Sequence, residues 1–155
     1  MVREARPDDF EHIVRLYRQL QPDDPEVADG SDAAVFRQIL ASPALRLFVL
    51  ELDGAVVATT YLNVIPNLTR SASPYVVIEN VVIENVVIEN VVVEASRRGA
   101  GLGKQIMAAT LQAAWEAGCY KAMLMTSSRR PATHAFSRAC GFSGGAKRAY
   151  VARPS

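Results

Sequence analysis

Four carboxylates recur at a fixed interval in this chain, at Glu79, Glu84, Glu89 and Glu94, each set in a β-branched run. Partial shielding from water can give a carboxylate the raised pKa that suits removal of a proton from a nucleophile. The run leads into Arg98-Gly99-Ala100-Gly101-Leu102-Gly103-Lys104, after which an amphipathic helical pattern begins. Glycines there permit a tight turn and close approach of the backbone, and the first amides of a helix converge on an anion. Strand, glycine-rich turn and helix together read as a phosphate site. Arg97, Arg98 and Lys104, with Arg129 and Arg130 further on, match a small polyanion better than a duplex.

The elements that must hold these residues follow from periodicity. Residues 2–6 suit a short strand, and Asp8 or Asp9 can cap a helix with Phe10, Ile13, Val14, Tyr17 and Leu20 on one face. Pro22 and Pro25 end it, and Asp23 to Gly30 is an acidic connection. A second helix from Ser31 or Asp32 carries Val35, Phe36, Ile39 and Leu40 and stops before Pro43. Leu45 to Leu52 and Ala55 to Ile65 form a hairpin about Asp53-Gly54. After the polar loop Pro66 to Pro74 come the glutamate-bearing strand, the turn, and a helix over 101–117 with Ile106, Met107, Leu111 and Trp115 inward. Gly118 closes it. Cys119 to Met125 reads as a central strand, Thr126 to Arg130 as a loop, and Pro131 to Cys140 as a helix capped by Gly141. Short strands near Phe142 and over Arg148 to Arg153 are expected to finish a mixed α/β (α+β) sheet flanked by helices, in one domain over 1–155.

Bulk properties narrow the function classes. The chain has 155 residues, half of them apolar, and a formal charge of +1, so nothing favours nucleic acid globally. Two cysteines and two histidines supply neither a disulfide framework nor a metal set. The opening residues are charged and polar, and glutamates interrupt the apolar run over 76–93. A cytoplasmic protein with no membrane partner is expected.

The repeat over 76–95 is unusual: Val-Val-Ile-Glu-Asn occurs three times unchanged, then once as Val-Val-Val-Glu-Ala. In a strand this period flips the face at every copy, so Glu79 and Glu89 share one face while Glu84 and Glu94 share the other. A single strand over 76–94 would be about 60 Å long, too long for a domain of this size. The last copy is expected to hold the working position, because it is joined directly to the glycine-rich turn. The earlier copies would then extend the hairpin or its loop, or exchange with a neighbour.

Ile88-Glu89-Asn90-Val91-Val92-Val93 with Arg98-Gly99-Ala100-Gly101-Leu102-Gly103-Lys104 resembles the acetyl-CoA-binding motif of the GCN5-related N-acetyltransferases (GNAT), Gln/Arg-x-x-Gly-x-Gly/Ala. Ala135-Phe136-Ser137-Arg138-Ala139-Cys140-Gly141-Phe142 is similar to that family's later motif. The resemblance implies a GNAT-like acyl-CoA N-acyltransferase fold with acetyl-CoA as cofactor. It implies that the backbone about Arg98, Gly99, Ala100, Gly101, Gly103 and Lys104 holds the pyrophosphate. It also implies that Val91 and Val93 pair with the pantetheine arm, the Val91 amide facing the thioester carbonyl. Glu89 is the expected general base, and Glu79 replaces it if the register slips by two copies. Ser137 stands where the family commonly has a tyrosine that protonates the leaving thiolate, so catalysis by this chain is in question. The thiols of Cys119 and Cys140 read as packing groups.

The resulting expectation is an N-acetyltransferase acting on a primary amine of a small molecule, by direct attack in a ternary complex. Two alternatives stand beside it. One is transfer to a peptide or protein amine, which needs an open groove. The other is an engineered cofactor-binding scaffold with impaired catalysis, carrying a strand duplication as a test of the fold. A homodimer by strand pairing or exchange is also expected, since an extra strand offers an edge.

Overall fold

The computed structural model describes residues 1–83 and 101–155. A strand β1 (Val2–Glu4) leads through a 3₁₀ turn (Pro7–Asp9) into α1 (Phe10–Leu20), then α2 (Ser31–Ala41), β2 (Leu45–Leu52) and β3 (Ala55–Ile65). A single turn α3 (Thr69–Ala72) precedes β4 (Tyr75–Ile83), and α4 (Leu102–Glu116), β5 (Ala122–Leu124) and α5 (Pro131–Ala139) follow. The strands lie in the order β1-β2-β3-β4-β5, antiparallel except for the parallel β4–β5 pair. The parallel pair is what the intervening helix α4 requires, because parallel neighbours cannot be joined by a tight turn. Asp53 and Gly54 both take positive φ, 51° and 78°, as a two-residue hairpin turn demands.

Two apolar layers sandwich the sheet. On one face Phe48, Leu50, Leu62, Val76 and Ile78 pack against Ile106, Met107, Ala113 and Ala114 of α4. On the other, Leu47, Val49 and Val56 pack against Ile13, Leu16 and Phe36 of α1 and α2. Inside the first layer the Thr110 hydroxyl donates to the Ile106 carbonyl at 2.8 Å, so Thr60 is the donor in the 2.6 Å contact between the two threonines. A buried polar pair satisfied in this way fixes α4 on β3. At the far edge, Arg3 bridges Asp9 at 2.7 Å and Glu51 at 3.0 Å, clasping β1 to the 3₁₀ turn and β2.

Several sequence expectations change. No strand forms over 142–155; this stretch is nearly all exposed, and its small and charged residues offer little to bury. The strand expected over Cys119 to Met125 is only three residues long and, among the described residues, lies at the sheet edge rather than its centre. Trp115 does not face inward: the buried stripe of α4 runs through Ile106, Met107, Thr110, Ala113 and Ala114, and Trp115 is 48% exposed. Leu20 and Val35 are exposed as well. The loop between β3 and β4 contains a left-handed turn, with Arg70, Ser71 and Ala72 at φ of 56°, 58° and 58°. Asn67 braces it, its side-chain amide donating to the Thr69 and Ser73 carbonyls at 2.8 and 3.2 Å.

Candidate active site

β4 is built from the first repeat copy and the start of the second. Its parallel pairing with β5 covers only Val76, Val77 and Ile78, opposite Ala122, Met123 and Leu124. Beyond Ile78, β4 continues against β3 alone, so the two parallel strands part. Alternation puts Val76 and Ile78 in the α4 layer and Glu79 on the opposite face, across from Tyr61. Glu79 is half-buried, and its carboxylate makes no ion pair or hydrogen bond among the described residues.

A bulge follows at once. Tyr61 is aligned with Glu79 and Thr59 with Val82, so Asn80 and Val81 together face the single Thr60. Asn80 takes φ of 49°, a left-handed conformation that asparagine tolerates better than most residues. Behind the bulge sits Tyr17 of α1, its hydroxyl buried without a hydrogen-bond partner among the described residues. Burial pushes the Tyr17 phenol up to about 12, while the nearby Asn80 and Thr59 side chains oppose that shift. Burial also raises the Tyr61 phenol. Sequence reasoning assigned Tyr17 to the core and did not single out Tyr61. The alignment of Tyr61 with Glu79 and the packing of Tyr17 beside Asn80 depend on a register and a helix packing that no local pattern encodes.

The start of α4 suits an anion. Gly101 occupies its N-cap with φ of 64°, no side chain caps the helix, and no acid stands in its first turn. The first backbone bond runs from the Gln105 amide to the Gly101 carbonyl at 2.9 Å, which leaves the Leu102, Gly103 and Lys104 amides without intrahelical partners. Gly101, Gly103 and Lys104 thus stand at one helix end. Lys104 also lies close enough to Cys140 of α5 for its charge to oppose the rise in that thiol's pKa caused by burial. The Cys119 thiol is raised by burial alone. Glu89, Val91, Val93, Arg98, Gly99 and Ala100 lie outside the described residues.

Ser137 lines a cavity of about 790 Å³ that runs along β5 past Val77, Met123 and Trp115. Its hydroxyl is already engaged, donating to the Thr133 carbonyl one turn back at 3.1 Å. Near the start of α5, the His134 ring meets the Ser128 carbonyl at 2.9 Å, and the Ser128 and Thr133 hydroxyls pair at 3.0 Å. Among the described residues, no cluster of three or more histidine, cysteine or acidic side chains could hold a metal. No helix among them is long and apolar enough to cross a membrane.

The end of the β4–β5 parallel pairing, the uncapped start of α4 and the half-buried Glu79 are the features of this candidate site. Residues 13–142 match the acetyltransferase (GNAT) family. The chain belongs to that family, and its class is therefore that of the acetyl-CoA-dependent N-acetyltransferases. It is 40% identical to a chain of Agrobacterium tumefaciens assigned only provisionally as an acetyltransferase, covering 99% of both chains with a TM-score of 0.86. It shares its fold with glucosamine-6-phosphate N-acetyltransferase of Arabidopsis thaliana, at 22% identity and TM-score 0.78 over 99% of this chain and 97% of that one. An aminoglycoside acetyltransferase from an uncultured soil metagenomic sample, in complex with sisomicin, is similar at 15% identity and TM-score 0.78, over 100% of this chain and 95% of that one. None of the curated proteins matches the sequence significantly.

Proposed function

We propose that this acetyltransferase acts on a primary amine of a small molecule, by direct attack in a ternary complex. The observation that carries the reading is the half-buried Glu79, without an ion pair or hydrogen bond among the described residues, on β4 beside the point where its pairing with β5 ends. Glu79 would take a proton from the acceptor ammonium, freeing the nitrogen lone pair for attack. It fills the role that the sequence assigns to Glu89, which is its equivalent when the chain slips by two copies. Acetyl-CoA supplies the acetyl group already activated as a thioester. The Leu102, Gly103 and Lys104 amides, with the Lys104 ammonium, would hold its pyrophosphate. Direct attack needs no enzyme nucleophile, in keeping with two cysteine thiols whose pKa is raised by burial. A small-molecule acceptor is supported by the similar fold of a protein bound to sisomicin.

The reading of an impaired, cofactor-binding scaffold is favoured by one observation. The Ser137 hydroxyl is spent on Thr133, so it is poorly placed to protonate a leaving thiolate. Calorimetric titration with acetyl-CoA, with NAD as control, tests the common premise. An amine screen of wild type, Glu79→Gln and Glu89→Gln then separates the two. Saturable one-to-one binding with turnover lost in a glutamate variant supports the enzyme. Binding without turnover supports the scaffold, and absence of binding overturns both.

A further inference from the structure

The cavity beside β5 carries a charge pattern that the acetyl-transfer chemistry leaves unused. Among the described residues, its charged lining side chains are Lys121, Arg138, Lys147 and Arg148, and no carboxylate lines it. None of the four makes an ion pair or a hydrogen bond among the described residues. Lys121 is also held in place. Its ammonium lies 5.1 Å from the centre of the Tyr75 ring and 5.2 Å from that of Tyr120, and the two rings meet edge-on at 6.4 Å. Arg70, from the left-handed turn, lies 5.9 Å from the Tyr120 ring and adds a further cation, without an ion pair among the described residues, at this end of the sheet.

The strand register relates this cluster to the carboxylate on β4. Val77 is paired with Met123, so Tyr75 and Lys121 fall one alternation back on the face that carries Val77 and Glu79. Four residues of strand separate Tyr75 from Glu79, about 13 Å between α-carbons at the parallel-strand rise. A half-buried cation held by aromatic faces and facing a cavity is prepaid in conformational entropy, which favours a charge-assisted hydrogen bond to an anion.

We propose that this groove is the acceptor-side anion subsite, so that the amine substrate carries a phosphate or carboxylate group held by Lys121 with Arg148. The proposal rests on the acetyltransferase reading above, and it disfavours an acceptor that is cationic throughout, which four uncompensated positive charges would repel.

The test uses matched ligands and calorimetry on the whole protein saturated with coenzyme A. Glucosamine 6-phosphate is compared with glucosamine for the phosphate arm, and glutamine with glutamine amide for the carboxylate arm. In at least one pair, the member that carries the phosphate or carboxylate should bind about tenfold or more tightly than the member without it. Which arm shows the preference identifies the anion. Lys121→Gln should remove most of that preference and Lys121→Arg should retain it, whereas Arg37→Gln, on the exposed side of α2, should leave it in place. Equal affinity within both pairs, no binding by any probe, or a preference untouched by Lys121→Gln would each overturn the subsite. A loss confined to acetyl-CoA affinity in Lys121→Gln would overturn it too, by assigning the cations to the cofactor. Failure of the acetyltransferase reading is seen separately, as wild-type protein that binds no acetyl-CoA.

Discussion

At the scale of single residues, position outweighs chemical type. Glu79 and Glu89 have the same neighbours in sequence, and the proposed function gives the role of base to Glu79, the one aligned with Tyr61. Glu79→Gln is expected to lower kcat by about 10²-fold or more, the range for loss of general base catalysis, with little change in acetyl-CoA affinity. Thiol release during steady-state turnover measures it; an effect confined to Glu89→Gln would show that the slipped register is the working one. Ser137 gives the opposite expectation. Because its hydroxyl bonds the Thr133 carbonyl, Ser137→Ala should keep kcat within about threefold, as fits a helix-bound hydroxyl rather than a proton donor. A larger fall in the same assay would restore it to the catalytic set. Tyr17→Phe removes a buried hydroxyl with no hydrogen-bond partner among the described residues, so the variant should melt at or above the wild-type temperature.

Elements obey register. The bulge at Asn80 and Val81 absorbs the odd residue of the five-residue period, so Val81 packs in the same α4 layer as Val76 and Ile78. Removing residues 76–80 brings the second copy to the place of the first, and removing 76–85 brings the third, with Glu89 in the place of Glu79. The shorter deletion leaves the sequence of β4 unchanged, and the longer one changes only its last residue, with Val93 in the place of Ile83. Both are expected to retain the cooperative melt and acetyl-CoA binding. Removing Val76 alone carries Glu79 into the α4 layer and is expected to lose both. Circular dichroism and calorimetry on the three variants check this. Should the single-residue deletion be tolerated as well as the other two, the sheet would be held by a register other than the one described.

For the molecule as a whole, the Arg3 clasp sets the response to acid. The Arg3 guanidinium, through its hydrogen bonds, holds the Asp9 carboxyl below the usual carboxylate range, with the Arg6 backbone amide assisting at 2.7 Å. A carboxyl whose folded pKa lies below its unfolded value of about 3.9 contributes stability above that value and loses it as pH falls through the folded pKa. Asp9→Asn should therefore lower the melting temperature at neutral pH, with the difference from wild type narrowing below about pH 4. A difference that stays constant with pH would mean that packing, not charge, is what Asp9 supplies.

Much of this architecture was legible in the chain itself. The helix stripes, the Asp53-Gly54 hairpin, the glycine-rich turn opening α4 and the order of elements are local, set by side-chain periodicity and turn chemistry over a few residues. Periodicity cannot choose among identical repeat copies, since each offers nearly the same energy to a neighbouring strand. Only pairing with β3 and β5 placed the first copy in β4 and brought Glu79 to Tyr61, with the bulge and Tyr17 behind it. The edge position of β5, the exposure of Trp115 and the gathering of Lys121 with Arg148 were likewise tertiary. Each depends on which surfaces, far apart in sequence, find apolar partners to bury against, and which are left facing water.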